Sequence, residues 1–442
     1  MIKVFFQGRW RGRVERGVRG WGAVFALAMA STLSMAAQSP YTPLLPKDVP
    51  QPIAAVKASQ EPSFSIPVDP LGFAAPGAFY LGQRNSMVSL DFLDEDRLLF
   101  TFRVPGLLRR DAQSTSEERQ IRAVVLSLPT GTVLAEALWT VHDRARYLWM
   151  LKDCHFLLRD GDEIKLGDGS LELKPYLRFP GPLLWMEMDP SQRFLVADSR
   201  EKGSKPGTVA SPSTAAVDMT VDGDQGTPDT VVRILKRDSG QVLLLSHTHS
   251  AVHLPINGDG YLESLRSHGI EWSLNLNYFT GGSMVLGRLV STCAPSYNVL
   301  SSQEVLATVC DTLGGSKLVA LSTDGKKLWE NFVPDNSIWP LLVNAPDGSR
   351  LARETLSVNH VITARSPLST EDIRGQLVEV FDAANGKRAL TVQITPPLDA
   401  GGNIAFSPSG RRVAALSAGA IQIFDLAPAA PLVNAANIQN GR

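Results

Sequence analysis

The sequence predicts an all-β protein made of seven small antiparallel sheets, each of four strands, set radially around one axis. Three observations carry that expectation. From about Met87 to Leu426, apolar and polar residues alternate with a period of two. A strand turns successive side chains to opposite faces, so this period marks strands half in and half out of a core. Clusters of Gly, Asp, Asn, Ser and Pro break the alternation after each short run. Two kinds of hairpin then recur in turn along the chain.

The first kind is a polar turn followed by an apolar strand. It appears as LDEDRLLFTF (93–102), LKDCHFLLR (151–159), MDPSQRFLVAD (188–198), APDGSRLARE (345–354) and SPSGRRVAAL (407–416). The second closes a unit: LSLPTGTVLAEALW (126–139), ILKRDSGQVLLLS (234–246), ALSTDGKKLWE (320–330) and VFDAANGKRALTV (380–392). Gly in these turns permits a positive φ, and Asp, Asn or Ser beside it closes the turn with a side-chain hydrogen bond. Alternating hairpins make units of four strands, A to D. A unit of that size cannot cover both its faces, so units must stack on one another; the closed form of that stack is a β-propeller.

Taken in order, residues 1–37 read as an export signal. Lys3, Arg9, Arg11, Arg13, Arg16 and Arg19 outweigh Glu15, and residues 21–37 carry no charge. The small residues Ser34-Met35-Ala36 place cleavage after Ala36 or Ala37. The apolar run from Trp21 is short for a membrane span. Residues 38–76 are an extended, proline-rich leader. The seven units follow at 85–140, 146–180, 183–249, 252–290, 296–333, 339–394 and 402–427. The last shows three strands, so an N-terminal strand is expected to complete it and close the ring. Gly77–Gly82 (GAFYLG) is the favoured segment, with the end of the leader as a second choice. The propeller thus spans 77–427, and residues 428–442 form a disordered tail. Residues 106–120 read as a loop with at most one helical turn.

Extra length falls between strands B and C of three units, at 104–120, 199–229 and 356–375. In a propeller those connections share one face, where loops on a rigid scaffold make binding surfaces.

Composition sets further bounds. The 442 residues are 44% hydrophobic and 20% charged, ordinary for a globular chain. The net charge of −1 conceals a basic N-terminus; the remainder is near −6, which argues against a nucleic-acid partner. Cys293 and Cys310 flank one strand turn and can pair in an oxidising compartment, leaving Cys154 over.

The repeats resemble the WD40, YVTN and quinoprotein propeller repeats. In LVALSTDGKKLWE (318–330), Asp324, Gly325 and Trp329 match the pyrroloquinoline-quinone propeller phrase, and the resemblance implies a Trp docked between neighbouring blades. Thr130, Gly131 and Trp139 keep it with altered spacing. FSPSGRRVAALSAGAIQIFDL (406–426) is similar to the YVTN/WD40 half-repeat. HDRARYLWMLKD (142–153) and LDAGGNIAFSPSGRR (398–412) resemble exported propeller proteins of acidobacterial type. The resemblance implies a fold and no activity.

Candidate chemistry is sparse. His247 and His249 share a strand face, with His253 close by, and make a weak metal site. Asp222, Asp224 and Asp229 resemble a calcium loop that lacks its closing Glu. Asp160, Asp162 and Asp168 belong to two hairpin turns. Gly282-Ser283 lacks the frame of a nucleophile elbow. Most tryptophans read as packing between blades; Trp339 is the best candidate for an exposed ligand platform. No catalytic residue and no cofactor are assigned. The expectation is a monomeric, periplasmic or secreted bacterial binding or scaffold module for a protein, peptide or carbohydrate. The competing expectation is a channel enzyme, a quinoprotein-like oxidoreductase or a lactonase-type hydrolase.

Overall fold

Strands in this chain are made by short apolar runs between turn residues, and the structure sorts them into seven sheets. The computed structural model describes residues 60–75, 86–104, 109–110, 117–142, 146–201, 230–248, 254–258, 260–312, 315–333, 337–360, 368–398 and 402–430. Blades 1 to 6 span 89–141, 148–178, 183–248, 256–290, 296–333 and 337–394. Each is a meander whose strands A, B, C and D pair antiparallel in sequence order. Helix is confined among the described residues to two single turns, Asp69–Leu71 and Thr370–Asp372.

Blade 7 holds three strands from the C-terminal end, Ile404–Phe406, Arg412–Ser417 and Ala420–Asp425. Its fourth, outermost strand is Phe64–Pro67, in the register Phe64 to Ile423 and Ile66 to Ile421. Closure by an N-terminal strand therefore holds, but the strand is FSIP at the end of the presumed leader. Residues 77–82, the favoured segment, lie outside the described residues. Pro67 fits there because it ends an edge strand, where a missing N–H breaks no inner ladder. The chain then turns through Asp69–Leu71 toward blade 1, and Phe73 meets Phe100 and Phe102 edge-on at 5.6 and 5.3 Å.

Residues 106–120 also differ from expectation. Strand C of blade 1 begins at Glu117, and Arg109–Arg110 pairs back on it, Arg109 opposite Glu118. Arg109–Arg110 thus adds a short strand beside strand C.

The core lies between blades. Leu99, Ile121 and Val125 of blade 1 meet Leu148, Phe156 and Leu158 of blade 2. Leu274 and Leu286 of blade 4 meet Val305 and Val319 of blade 5. Ile66 and Phe73 join a layer shared by blades 6, 7 and 1. Middle strands are covered on both faces, so Phe194–Arg200 is buried at all but its last residue. Outermost strands keep the alternation, as Val133–Val141 does toward its end.

At two junctions the outermost strand also keys its blade to the next. Trp329 is 8% exposed; it lies between blades 5 and 6 and donates from Nε1 to the Ala383 carbonyl at 2.5 Å. The C–D turn beneath it needs Gly386: φ is +67°, and a Cβ would fall 2.6 Å from the indole. Trp139 does the same between blades 1 and 2, donating to the Leu171 carbonyl at 3.3 Å.

Candidate functional site

Two regions of this frame gather features that packing alone does not require. The first is one face of the ring. Within each blade the A–B and C–D connections emerge on one face, and the B–C and blade-to-blade connections on the other. A–B and C–D connections are tight, as at 93–96, 169–172 and 323–326. Three B–C connections are long: Arg103 to Glu117 in blade 1, Arg200 to Thr230 in blade 3, and Val358 to Ile373 in blade 6. All three leave the same face by strand order.

At the root of the blade 3 insertion sits a charged knot. Arg233 grips Glu201 through both guanidinium nitrogens at 2.5 and 3.0 Å and also reaches Ser199 Oγ at 2.8 Å. Burial would raise the Glu201 carboxyl, but the Arg233 and Ser199 hydrogen bonds hold it below the usual range. His247, opposite Val231 on strand D, feels the Glu201 charge. Both its ring nitrogens are buried and lack a hydrogen-bond partner among the described residues. His249 and His253 lie outside those residues, as do Asp222, Asp224 and Asp229. Among the described residues no three His, Cys, Asp or Glu side chains are grouped to hold a metal.

The second region is the wall of the central channel along blades 1 to 3. Strand A of each blade is innermost. In Ser89–Phe92, Leu90 and Phe92 are buried, while Ser89 and Asp91 stay partly open. Ser89 Oγ donates to Asp91 at 2.7 Å. Arg146 precedes strand A of blade 2. Its guanidinium lies 5.1 Å above the Trp149 ring, and Nε donates to the Leu148 carbonyl at 3.0 Å. Glu187 lies on strand A of blade 3, Leu183–Met188. These side chains are deep among protein atoms, yet Arg146 is exposed and Asp91 and Glu187 are partly so. Deep and wet together is what a channel wall provides.

Electrostatics link the three. Burial pushes Asp91 up to about 6, against the Ser89 hydrogen bond and the pull of Arg146. It pushes Glu187 up to about 7, with Arg146 again opposing. Desolvation lowers the Arg146 guanidinium, and the two carboxylates counter that. None of the three residues was singled out in the sequence. The available signal was a charge inside or just before an otherwise apolar innermost strand, in VSLDFL, RYLWML and LLWMEM.

The remaining expected residues fall elsewhere. Cys293 and Cys310 form a disulfide with Cα atoms 5.5 Å apart, tying the link before blade 5 to the end of its strand B. Cys154 is free and accepts from Arg97 at 3.0 Å. Asp168 closes a turn on Ser170 N–H at 2.8 Å. Asp160 instead bonds His142 at 2.7 Å and Lys165 at 2.9 Å. Trp339 is on strand A of blade 6, Ser337–Asn344, near the end that follows the blade 5–6 link; its side chain lies outside what is described.

No family model and no curated protein sequence matches the chain. Solved structures do resemble it. An acylaminoacyl peptidase of Pyrococcus horikoshii is 11% identical, covers 76% of this chain and 49% of its own, and gives a TM-score of 0.43. The C-terminal WD40 domain of Sif2 is 13% identical over 80% of this chain and 100% of its own, with a TM-score of 0.42. Hydrazine synthase of Kuenenia stuttgartiensis is 10% identical over 80% and 99%, with a TM-score of 0.41. The chain spans about half the length of the peptidase it matches. Likenesses this distant carry nothing about ligand or activity.

Proposed function

We propose that this chain is an exported, monomeric β-propeller binding module that meets a protein, peptide or carbohydrate on the face of its long B–C connections. One observation carries the reading: connections on one face are tight turns, while blades 1, 3 and 6 send long segments from the other. A rigid ring that varies on one face only is the arrangement of a recognition surface. The basic N-terminus, followed by an uncharged run, supports export.

The test is a binding screen of the full chain on peptide and glycan arrays, repeated with residues 202–229 replaced by a short Gly-Ser linker. The expected result is loss of the array signal with Tm within a few degrees of the parent. An unchanged signal overturns the reading. A second reading, a channel enzyme, is favoured by Glu187: a carboxyl near neutrality beside a guanidinium is suited to proton transfer. It predicts hydrolytic or oxidative turnover that Glu187→Gln abolishes.

A further inference from the structure

We infer that the channel wall of Asp91, Arg146 and Glu187 binds the cationic side chain of a partner polypeptide, a lysine ammonium or an arginine guanidinium. The inference rests on the reading above and narrows its partner to a basic peptide. Asp91 and Glu187 lie on the innermost strands of blades 1 and 3, Arg146 lies just before that of blade 2 between them, and the charge of Arg146 reaches both acids. With both acids ionised the cluster carries one negative charge more than Arg146 can offset.

An anion would meet two carboxylates for one guanidinium, so its approach is disfavoured. A calcium ion requires six or more oxygen ligands, whereas two carboxylates and one Ser hydroxyl are offered here. A second organic cation fits better. It can pair directly with a carboxylate that Arg146 reaches only through its longer-range charge, and it needs no full coordination shell. Arg146 cannot swing freely to serve both acids, because its Nε is held by the Leu148 carbonyl and its plane lies over Trp149.

Binding must also release protons. Asp91 titrates at about 6 and Glu187 at about 7, so each is partly protonated near neutrality. An incoming cation favours the ionised forms, and affinity should rise with pH from about 5.5 to about 8.

The experiment titrates the full chain with blocked tripeptides, Ala-Lys-Ala, Ala-Arg-Ala and Ala-Gln-Ala, and separately with calcium chloride, by calorimetry at several pH values. The Lys and Arg peptides should bind at least about tenfold tighter than the Gln peptide, more tightly as pH rises. Asp91→Asn and Glu187→Gln should each weaken that binding about fivefold or more, and Arg146→Gln should strengthen it. Opposite signs from neutral isosteres separate a charge effect from misfolding, and the pH series needs no variant. Equal binding of the Gln peptide, pH-independent affinity, or saturation by calcium alone would overturn the inference. If array binding is lost on replacing 202–229 yet stands in Asp91→Asn/Glu187→Gln, the channel inference fails and the face reading survives.

Discussion

The ring is fastened in two places, and the fastenings differ in kind. At blade 7 a four-residue strand from far upstream, Phe64–Pro67, completes a sheet made by the C-terminal end. At blade 5 a disulfide joins Cys293 to Cys310, only 17 residues apart. The first is non-covalent but buries Ile66, Leu71 and Phe73 in the layer shared by blades 6, 7 and 1. The second is covalent but closes a short loop, and closure entropy grows only with the logarithm of loop length. Weak bonds that complete an interface can therefore matter more than one strong bond inside a blade that is already complete.

Breaking the lap should have the largest effect. Ile66→Asp places a carboxylate in the layer against Gly131 and costs about 4 kcal/mol or more, read from urea unfolding. A loss under about 1 kcal/mol would mean that the ring does not depend on its lap. Replacing Cys293 and Cys310 together by Ser should cost about 3 kcal/mol, less than the lap variant, with the fold retained by circular dichroism.

A pH series distinguishes the two fastenings further. Glu354 of blade 6 is fully buried at the seam with blade 7 and is pushed up to about 8 by that burial, despite donation from Gln376. Asn403 of blade 7, with its amide nitrogen toward the carboxylate, donates to both oxygens at 3.1 Å. A folded carboxyl that keeps its proton longer than the unfolded one stabilises at low pH. That contribution fades as pH rises from about 4.5 to about 8. Asp91 and Glu187 slope the same way but finish at about 6 and 7. Glu354→Gln should therefore flatten the fall in Tm above about pH 7, while the Cys variant keeps it. The smallest effect belongs to Gln60, whose Nε2 donates to the Asp425 carbonyl at 2.9 Å in an exposed position. Gln60→Ala should cost about 0.5 kcal/mol, and a much larger loss would place part of the lap's strength in its polar edge.

Most of the fold was legible because its signals are local. Gly325 and Gly386 mark C–D turns by their own conformational freedom, and Val305 to Val309 declare a buried strand without help from distant residues. The lapping strand was harder: FSIP sits among prolines, and nothing within four residues says that Ile421 and Ile423 await it. The pairing of 109–110 with 117–118 was missed because charged residues there gave no apolar alternation. The channel cluster was legible only as single charges in or beside apolar inner strands, not as a cluster. Asp91, Arg146 and Glu187 belong to three different blades, and each alone looks like an ordinary polar residue in or beside a strand.

What the sequence determined by itself is the repeated unit: period, turn and apolar run are properties of neighbouring residues, and local sterics and burial read them directly. Only the tertiary structure decided which strand closes the circle and which charges share the channel, because both depend on residues brought together by stacking blades. Desolvation and Coulomb forces act through space, and the order of residues along a chain does not contain those distances.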